Sequence, residues 1–319
     1  MTISVALPTC NGARHLAETL RSVLAQGGDF PIVISDDRSD DDTLEIVRRE
    51  APDRARITSN PERLGLAENW NRCVALCDSS FVAILHQDDL WCPGHLVAHG
   101  KAVANDLTLG LIASGSRVID AEGREVSARV VDRGGLGDRD RTFAPGEAVH
   151  AMATHNPLRC SAVTISKRAH ADVGGFDPSY RYVVDWDFWL RVAGRFGVAW
   201  LGEPTVDVRW HPASETHRFA TGTADLDETA RLLDRILNSE DARAPRGEAV
   251  RRLARAWLNR AHVALKAGDA GLSRRALIHA VRLSPPILGR IAIDPRLAAQ
   301  MAAVAIAPGW AGRAFARKP

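Results

Sequence analysis

The stretch "FVAILHQDDLWCPGHL", Phe81 to Leu96, is the most telling in the chain. Its apolar opening, Phe81 to Leu85, calls for burial and then gives way at once to His86, Gln87, Asp88 and Asp89. Adjacent carboxylates repel and raise one another's pKa, so such a pair is held where a cation or hydrogen-bond donors offset the cost. A short buried strand that delivers two acids, followed by a helix starting near Pro93, fits the carboxyl edge of a parallel sheet.

The preceding residues repeat that rhythm. "ISVAL" (Ile3 to Leu7) leads into a Pro/Asn/Gly loop and then "HLAETLRSVLAQ", where Leu16, Leu20, Val23 and Leu24 recur at helical spacing. "FPIVIS" (Phe30 to Ser35) leads into the acidic loop "DDRSDDD" and a helix from Thr43. Apolar strands alternating with helices predict an α/β, Rossmann-like, mostly parallel sheet covered on both faces, with ligands bound outside the carboxyl ends of its strands. Asp36 and Asp37 then share a rim with Asp88 and Asp89, while Asp40 to Asp42 serve as helix-capping residues.

The loop after the first strand, "PTCNGAR", lacks the G-x-G-x-x-G turn that cradles a dinucleotide pyrophosphate. An acidic rim repels phosphate unless a divalent cation intervenes, and carboxylate oxygens suit Mg²⁺ or Mn²⁺. The expected ligand is a metal carrying a diphosphate.

With 319 residues, 45% of them hydrophobic, the chain can bury a substantial core without staples. Its five cysteines are odd in number and lack C-x-x-C spacing, which argues against a disulfide framework or structural zinc and for a reducing cytosol. No basic leader and no apolar run of about 18 residues is present, so a cytoplasmic protein, at most peripheral at the inner membrane face, is expected. The formal net charge of +2 hides an asymmetry: from Ala242 onward about 15 Arg and Lys face 3 Asp and Glu. A soft boundary is placed near Phe219 to Ala224, and "LNSEDARAPRGE" (Leu237 to Glu248) is the most loop-like stretch.

The segments "ISVALPTCNGARHLAETLRSVLAQ", "VISDDRSDDDT", "NPERLGLAENWNRCVALC" and "FVAILHQDDLWCPGHL", in this order, resemble the nucleotide-sugar half of glycosyltransferase family 2, inverting enzymes of the GT-A fold. "ISKRAHADVGGFDPSYRYVVDWDFWLRVAGRFGVAWL" and "VRWHPASET" resemble the acceptor half. The resemblance implies a GT-A domain over residues 1–220, with the nucleotide-sugar half at about 1–105 and the acceptor half at about 106–220. A basic, all-α C-terminal domain over 221–319 would follow it.

The resemblance also implies roles. Pro8 and Thr9, with Asn11 in the same loop, line the nucleotide of the donor. Asp37, beside Asp36, bonds the base, a pyrimidine such as uracil, and Arg63 lies near the nucleotide. Asp88 faces the ribose, Asp89 holds Mn²⁺ or Mg²⁺, and His211 completes the metal shell. His86 stands where many relatives carry another aspartate and receives no metal role. Asp185 is the general base, with Asp187 two residues on as the alternative, and Val184 replaces the glutamate usual before the base. Trp186 faces the acceptor, a hydroxyl of a glycan, glycolipid or other glycoconjugate of the kind met in cell-surface polysaccharide synthesis.

Two other readings remain at this level. A non-catalytic sugar-nucleotide-binding module would accommodate Val184, and a sugar-phosphate nucleotidyltransferase would share the α/β site but needs a basic Gly-rich loop. Between the two halves, "LGLIASGSRVIDAEGREVS" predicts strands about a Glu122-Gly123 turn, and "RVVDRGGLGDRDRTFAPGEAVH" predicts an excursion before a helix. In the basic tail, "AVRRLARAWLNRAHVALKAGDAGLSRRALIHAVRLSPP" predicts two amphipathic helices about a Gly-Asp turn. These helices pack on the catalytic domain and, in a second role, attract an anionic membrane surface. No nucleic-acid motif accompanies their charge, so nucleic acid is not an expected partner.

Overall fold

The computed structural model describes residues 3–127, 134–212, 214–219, 221–238 and 245–316. Part of the excursion after Ser127 and part of the stretch joining Leu237 to Glu248 lie outside the described residues, as does Ala220 in the boundary region. The chain divides into two compact units, one of residues 1–152 and 156–212, the other of 153–155 and 213–319.

The first unit runs β1 (Ile3–Thr9), α1 (Leu16–Leu24), β2 (Ile32–Asp36), α2 (Thr43–Glu50), β3 (Ala55–Ser59), α3 (Leu66–Leu76), β4 (Phe81–Ile84), β5 (Leu90–Trp91), α4 (His95–Asn105), β6 (Leu109–Ile119) and β7 (Glu125–Ser127). It continues through β8 (Arg141–Phe143), α5 (Glu147–Met152), β9 (Val163–Ser166), α6 (Lys167–Val173), α7 (Val184–Arg195) and β10 (Gly197–Arg209). The sheet order is β3-β2-β1-β4-β9-β6-β10-β5, with β7 on β6 and β8 on β10. Every residue of β1, β2 and β4 is buried, as continuous apolar runs covered on both faces require. Helix α1 seals one face through Leu16, Leu20 and Val23, spaced three and four apart. Fully burying a side chain of this size stabilises by about 1.5–3 kcal/mol.

Register determines what shares an edge. In parallel pairs, Thr9 lies beside Asp36 and Ala6 beside Ile84, so β1 and β2 finish level and β4 stops three residues earlier, its continuation from Leu85 running on toward the same edge. Strand β9 is antiparallel to β4, with Val163 beside Ile84, so its entry turn Cys160–Ala162 reaches that same edge from the other direction. Strand β10 runs parallel to β6 and exits with Arg209 beside Ile119. The edge therefore collects three strand ends, one strand start and the exit of β10.

The second unit is helical: α8 (Glu215–Arg218), α9 (Ala224–Leu237), α10 (Arg246–Lys266), α11 (Ala270–Leu283), α12 (Ile287–Ile293), α13 (Pro295–Ile306) and α14 (Pro308–Phe315). Helices α10 and α11 form the expected hairpin about Gly268, whose φ of +83° favours glycine, and Asp269, whose carboxylate caps α11 by accepting the Leu272 N–H. Trp257 stacks on His279 at 4.6 Å, and the ion pair of Arg260 with Asp225 at 2.6 Å fastens α9 to α10. Among the described residues no helix is long and apolar enough to cross a membrane.

Candidate active site at the acidic edge

The first acidic pair is engaged almost wholly by the protein. Asp36 accepts hydrogen bonds from the Thr9 hydroxyl (2.9 Å), the Ser39 hydroxyl (2.6 Å) and the Ser39 N–H (2.9 Å). Asp37 accepts from Asn60 Nδ2 (2.9 Å) and the backbone N–H groups of Leu64 (2.7 Å) and Gly65 (2.9 Å). An ionised carboxylate offers about four acceptor positions, so Asp37 keeps about one for a ligand. Asn69 completes the frame: its side chain accepts from Ser35 and Asn60 and donates to the carbonyls of Thr9 and Ser35. Helix capping falls to Asp41, which accepts from the Thr43 N–H at 3.0 Å, while Asp42 at the N-cap position makes no side-chain cap bond and Asp40 pairs with Arg63.

The loop after β1 is fixed from the opposite side. Gln87 accepts the Cys10 N–H at 2.9 Å and donates to the Cys10 carbonyl at 3.0 Å. Gly12 passes so close that a Cβ there would lie 2.3 Å from Gln87 Oε1. Asn11 adopts a positive φ of 51° and bonds Ser39 and Asp40 across the gap to the next loop. Pro8 and Thr9 are buried at the end of β1 beneath it.

The second acidic pair is treated differently. Asp88 Oδ2 lies 2.9 Å from His211 Nε2. Asp89 is 4% exposed and accepts from the Ser161 hydroxyl (2.5 Å) and the Arg209 N–H (2.8 Å). Burial and the charge of Asp88 push the Asp89 carboxyl well up. Burial acts the same way on Asp88, yet the hydrogen bond from His211 and the charges of His86 and His211 outweigh it and hold that carboxyl down. One acid of the pair thus carries the charge and the other tends to hold a proton.

His86 joins them: ligand-type atoms of His86, Asp88 and Asp89 all lie within 4.8 Å of one another. Among the described residues, His86 Nε2 and His211 Nδ1 are buried without a hydrogen-bond partner. Such orphaned imidazole nitrogens beside two carboxylates fit a divalent cation. Arg209 secures the assembly, its guanidinium 1% exposed and bonded to Glu18 of α1 at 2.6 Å, to the Asp88 carbonyl at 3.0 Å and to the Ala121 carbonyl at 3.0 Å.

The two candidate bases separate cleanly. Asp187 is fully buried on the inner face of α7, paired with Arg191 at 2.7 Å, and Arg191 in turn donates to the carbonyls of Val173 and Gly175. Asp185 is half-buried in the first turn, where it accepts the Trp186 N–H (2.7 Å) and Asn156 Nδ2 (3.0 Å). Burial raises its carboxyl pKa against the pull of those two donors. Trp186, expected to face the acceptor, is 5% exposed, with its indole N–H bonded to the Met152 carbonyl at 2.8 Å.

Ser161, Arg209, Gln87 and Asn156 escaped the sequence reading. Ser and Asn carry no signal of their own, and Ser161 reaches Asp89 only because β9 runs antiparallel to β4. Arg209 lies in "VRWHPASET", but nothing local marks it as the buried cation of the site.

A sheet with acids along its carboxyl edge, and a helix that presents a half-buried aspartate, is the architecture of a GT-A glycosyltransferase. The sequence profile described as glycosyl transferase family 2 matches residues 4–155. An uncharacterised protein of Mycobacterium tuberculosis (strain CDC 1551 / Oshkosh) is 29% identical over 291 residues, 89% of each chain. The PGL/p-HBAD biosynthesis glycosyltransferase of Mycobacterium bovis (strain BCG / Pasteur 1173P2) is 27% identical over 196 residues, 59% of this chain and 68% of that protein. In fold, the crystal structure of S. aureus TarS 1-349 in complex with UDP-GlcNAc is similar with a TM-score of 0.62 at 15% identity, covering 99% of this chain and 90% of that one. Residues 4–155 are thus a glycosyl transferase family 2 domain. The chain is an enzyme of glycosyl transfer from a nucleotide sugar.

Proposed function

We propose that the enzyme transfers a sugar with inversion from a UDP- or dTDP-sugar to a hydroxyl of a glycan, glycolipid or other glycoconjugate, with Asp185 as general base. The difference between Asp185 and Asp187 carries this reading, because only Asp185 is half-exposed and free of an ion pair to its own helix. The acceptor oxygen forms the new bond to the anomeric carbon from the side opposite the diphosphate. Its proton passes to Asp185 Oδ, and the bond to the leaving group breaks with its electron pair going to the diphosphate oxygen. A base whose pKa is lifted toward neutrality by burial is suited to take that proton.

Asp88, Asp89, His86 and His211 would hold Mn²⁺ or Mg²⁺, which when bound supplies Lewis-acid stabilisation of the diphosphate. The loop from Pro8 to Asn11, the remaining acceptor position of Asp37, and Arg63 at the rim would receive the nucleoside. Asp36 supports that loop through Thr9. The second unit serves as a basic surface for peripheral contact with an anionic inner-membrane face. Exposed Arg251, Arg255, Arg274 and Arg275 support this, as do exposed Leu288, Ile293, Ile306 and Trp310.

The test is to incubate the purified protein and Mn²⁺ with a panel of nucleotide sugars and glycan acceptors, following nucleotide release and the anomeric configuration of the product. Inverted product from a UDP- or dTDP-sugar, lost in Asp185→Asn with nucleotide affinity kept, supports the reading. Retained configuration, or full activity in Asp185→Asn, overturns it.

A further inference from the structure

One cation at this edge has no use in the scheme above. The segment from Asn156 to Ser161 runs between the two catalytic carboxylates, with Asn156 donating to Asp185 Oδ2 at 3.0 Å and Ser161 donating to Asp89 Oδ2 at 2.5 Å. Arg159 sits between these anchors, half-buried. Its backbone is committed, since its carbonyl accepts the Ala162 N–H at 2.9 Å and begins the turn that positions Ser161. Its side chain is not. Among the described residues, Arg159 Nε is buried without a hydrogen-bond partner, unlike the guanidinium groups of Arg191 on α7 and Arg209 at the end of β10, which are bonded throughout.

The positive charge of Arg159 is nevertheless felt in the site, where it pulls down the Asp185 carboxyl against the larger rise that burial imposes. A buried guanidinium nitrogen without a hydrogen-bond partner is unfavourable, and packing alone does not offset that. Its planar fork matches the paired oxygens of phosphate or carboxylate better than any other side chain. An anionic substrate entering between two aspartates meets repulsion from both, and a cation on the segment anchored to both of them relieves it.

Resting on the glycosyl-transfer reading of this site, we propose that Arg159 is a substrate-binding residue that takes an oxyanion of the donor between the acidic pair and the base. The oxyanion is the donor's diphosphate or an acidic group on the transferred sugar. The first source makes Arg159 part of leaving-group stabilisation; the second makes it a specificity residue for uronic or similar sugars.

Calorimetric titration with Mn²⁺ present separates these. Uridine, UMP, UDP, UDP-glucose and UDP-glucuronic acid are titrated into wild type, Arg159→Gln and Arg159→Lys, with dTDP and GDP compounds substituted if the wild type prefers that base. If Arg159 binds the diphosphate, Arg159→Gln weakens UDP by about 10- to 100-fold, the range for hydrogen bonds to charged groups, while uridine and UMP change by less than about twofold. If it reads a sugar acid, UDP is unchanged and the preference for UDP-glucuronic acid over UDP-glucose disappears. Arg159→Lys keeps the charge without the fork and recovers part of either loss. Should the glutamine variant fail to fold, the lysine variant carries the test: affinities equal to wild type for every compound overturn the proposal. Unchanged affinities in a folded Arg159→Gln do the same. A wild type that binds no nucleoside diphosphate at all instead overturns the glycosyl-transfer reading, and this proposal with it.

Discussion

Asp36-Asp37 and Asp88-Asp89 are the same dipeptide at the ends of two parallel strands in one sheet, yet the molecule puts them to opposite uses. Around the first pair, protein donors fill six acceptor positions, three on each residue. Those bonds cross from β1 to the loop after β2 and on to the loop before α3, so this pair builds the donor cleft. Around the second pair, two of the partners are histidines with an orphaned nitrogen each, and one aspartate is pushed toward its neutral form. A carboxylate largely filled by protein donors holds structure; one left beside imidazoles with an unpartnered nitrogen is available for chemistry.

The strongest way to break that contrast is through activity. Asp88→Asn and Asp89→Asn should each reduce transfer by roughly 10²-fold or more while leaving urea midpoints near wild type, because an amide is a poor ligand for a hard cation. Wild-type turnover in either variant, measured at saturating Mn²⁺, would move the active acids elsewhere. Asp37→Ala should do the reverse, lowering stability by about 1–3 kcal/mol in urea titrations as three donors, the buried Asn60 amide among them, lose their acceptor. If Asp37→Ala instead kept its stability and lost only donor affinity, the first pair would be a ligand site rather than a frame.

Gly12→Ala sharpens the same point one layer further out. The added methyl meets a Gln87 side chain that is tied at both ends to Cys10, so the loop or the glutamine must shift, at about 1–3 kcal/mol. The expected readout is a weaker nucleotide affinity together with a lower melting temperature. An unchanged protein would show that the close approach is slack.

A pH experiment contrasts the site histidines with a second, structural pair. His95 and His99, one turn apart on α4, have ring centroids 4.1 Å apart in a tilted contact, bond Thr205 and Thr164 through Nδ1, and have buried, unpartnered Nε2 atoms among the described residues. Burial takes His99 down to about 3 and His95 well below its usual value, the latter with help from the charge of His99. Their folded pKa values lie below the unfolded value of about 6.5, so the stability they contribute is complete above that pH. It is lost as pH falls from about 6.5 toward 3, by up to about 1.4 kcal/mol per pH unit for each histidine. Urea titrations at pH 7.5 and 5.5 should show this loss, and His99→Gln should flatten it; an identical slope in the variant would remove His99 from the acid response.

The smallest effect concerns the other unit. Replacing Arg251, Arg255, Arg274 and Arg275 by glutamine should leave helicity unchanged and weaken cosedimentation with anionic vesicles severalfold, with the wild-type signal falling as salt is added. Salt-independent sedimentation, or none, would leave the tail as a structural domain.

Much of this was legible in the linear chain because it depends on local rules. Seven consecutive buried positions in β1, the i, i+4 and i+7 apolar stripe of α1, and the Gly-Asp punctuation between α10 and α11 are each written in a few adjacent residues. So is the meeting of the acids at one edge, since parallel strands of one sheet all send their following loops to the same side. Which aspartate of a pair or near-pair is free was not legible. Asp185 and Asp187 stand two residues apart with the same side chain, and only the inward turn of Asp187 toward Arg191 tells them apart.

The same holds for every residue brought in from a distance. Ser161 lies 72 positions from the aspartate it bonds, Arg209 lies 120 positions from that same aspartate, and the unpartnered Nε of Arg159 is defined by what fails to approach it. Periodicity and turn chemistry act over a few residues and fix strands, helices and the edge they share. Hydrogen-bond saturation and burial are sums over all neighbours in space, so the division of labour among identical side chains comes into being only when β9 and β10 have paired and closed the edge.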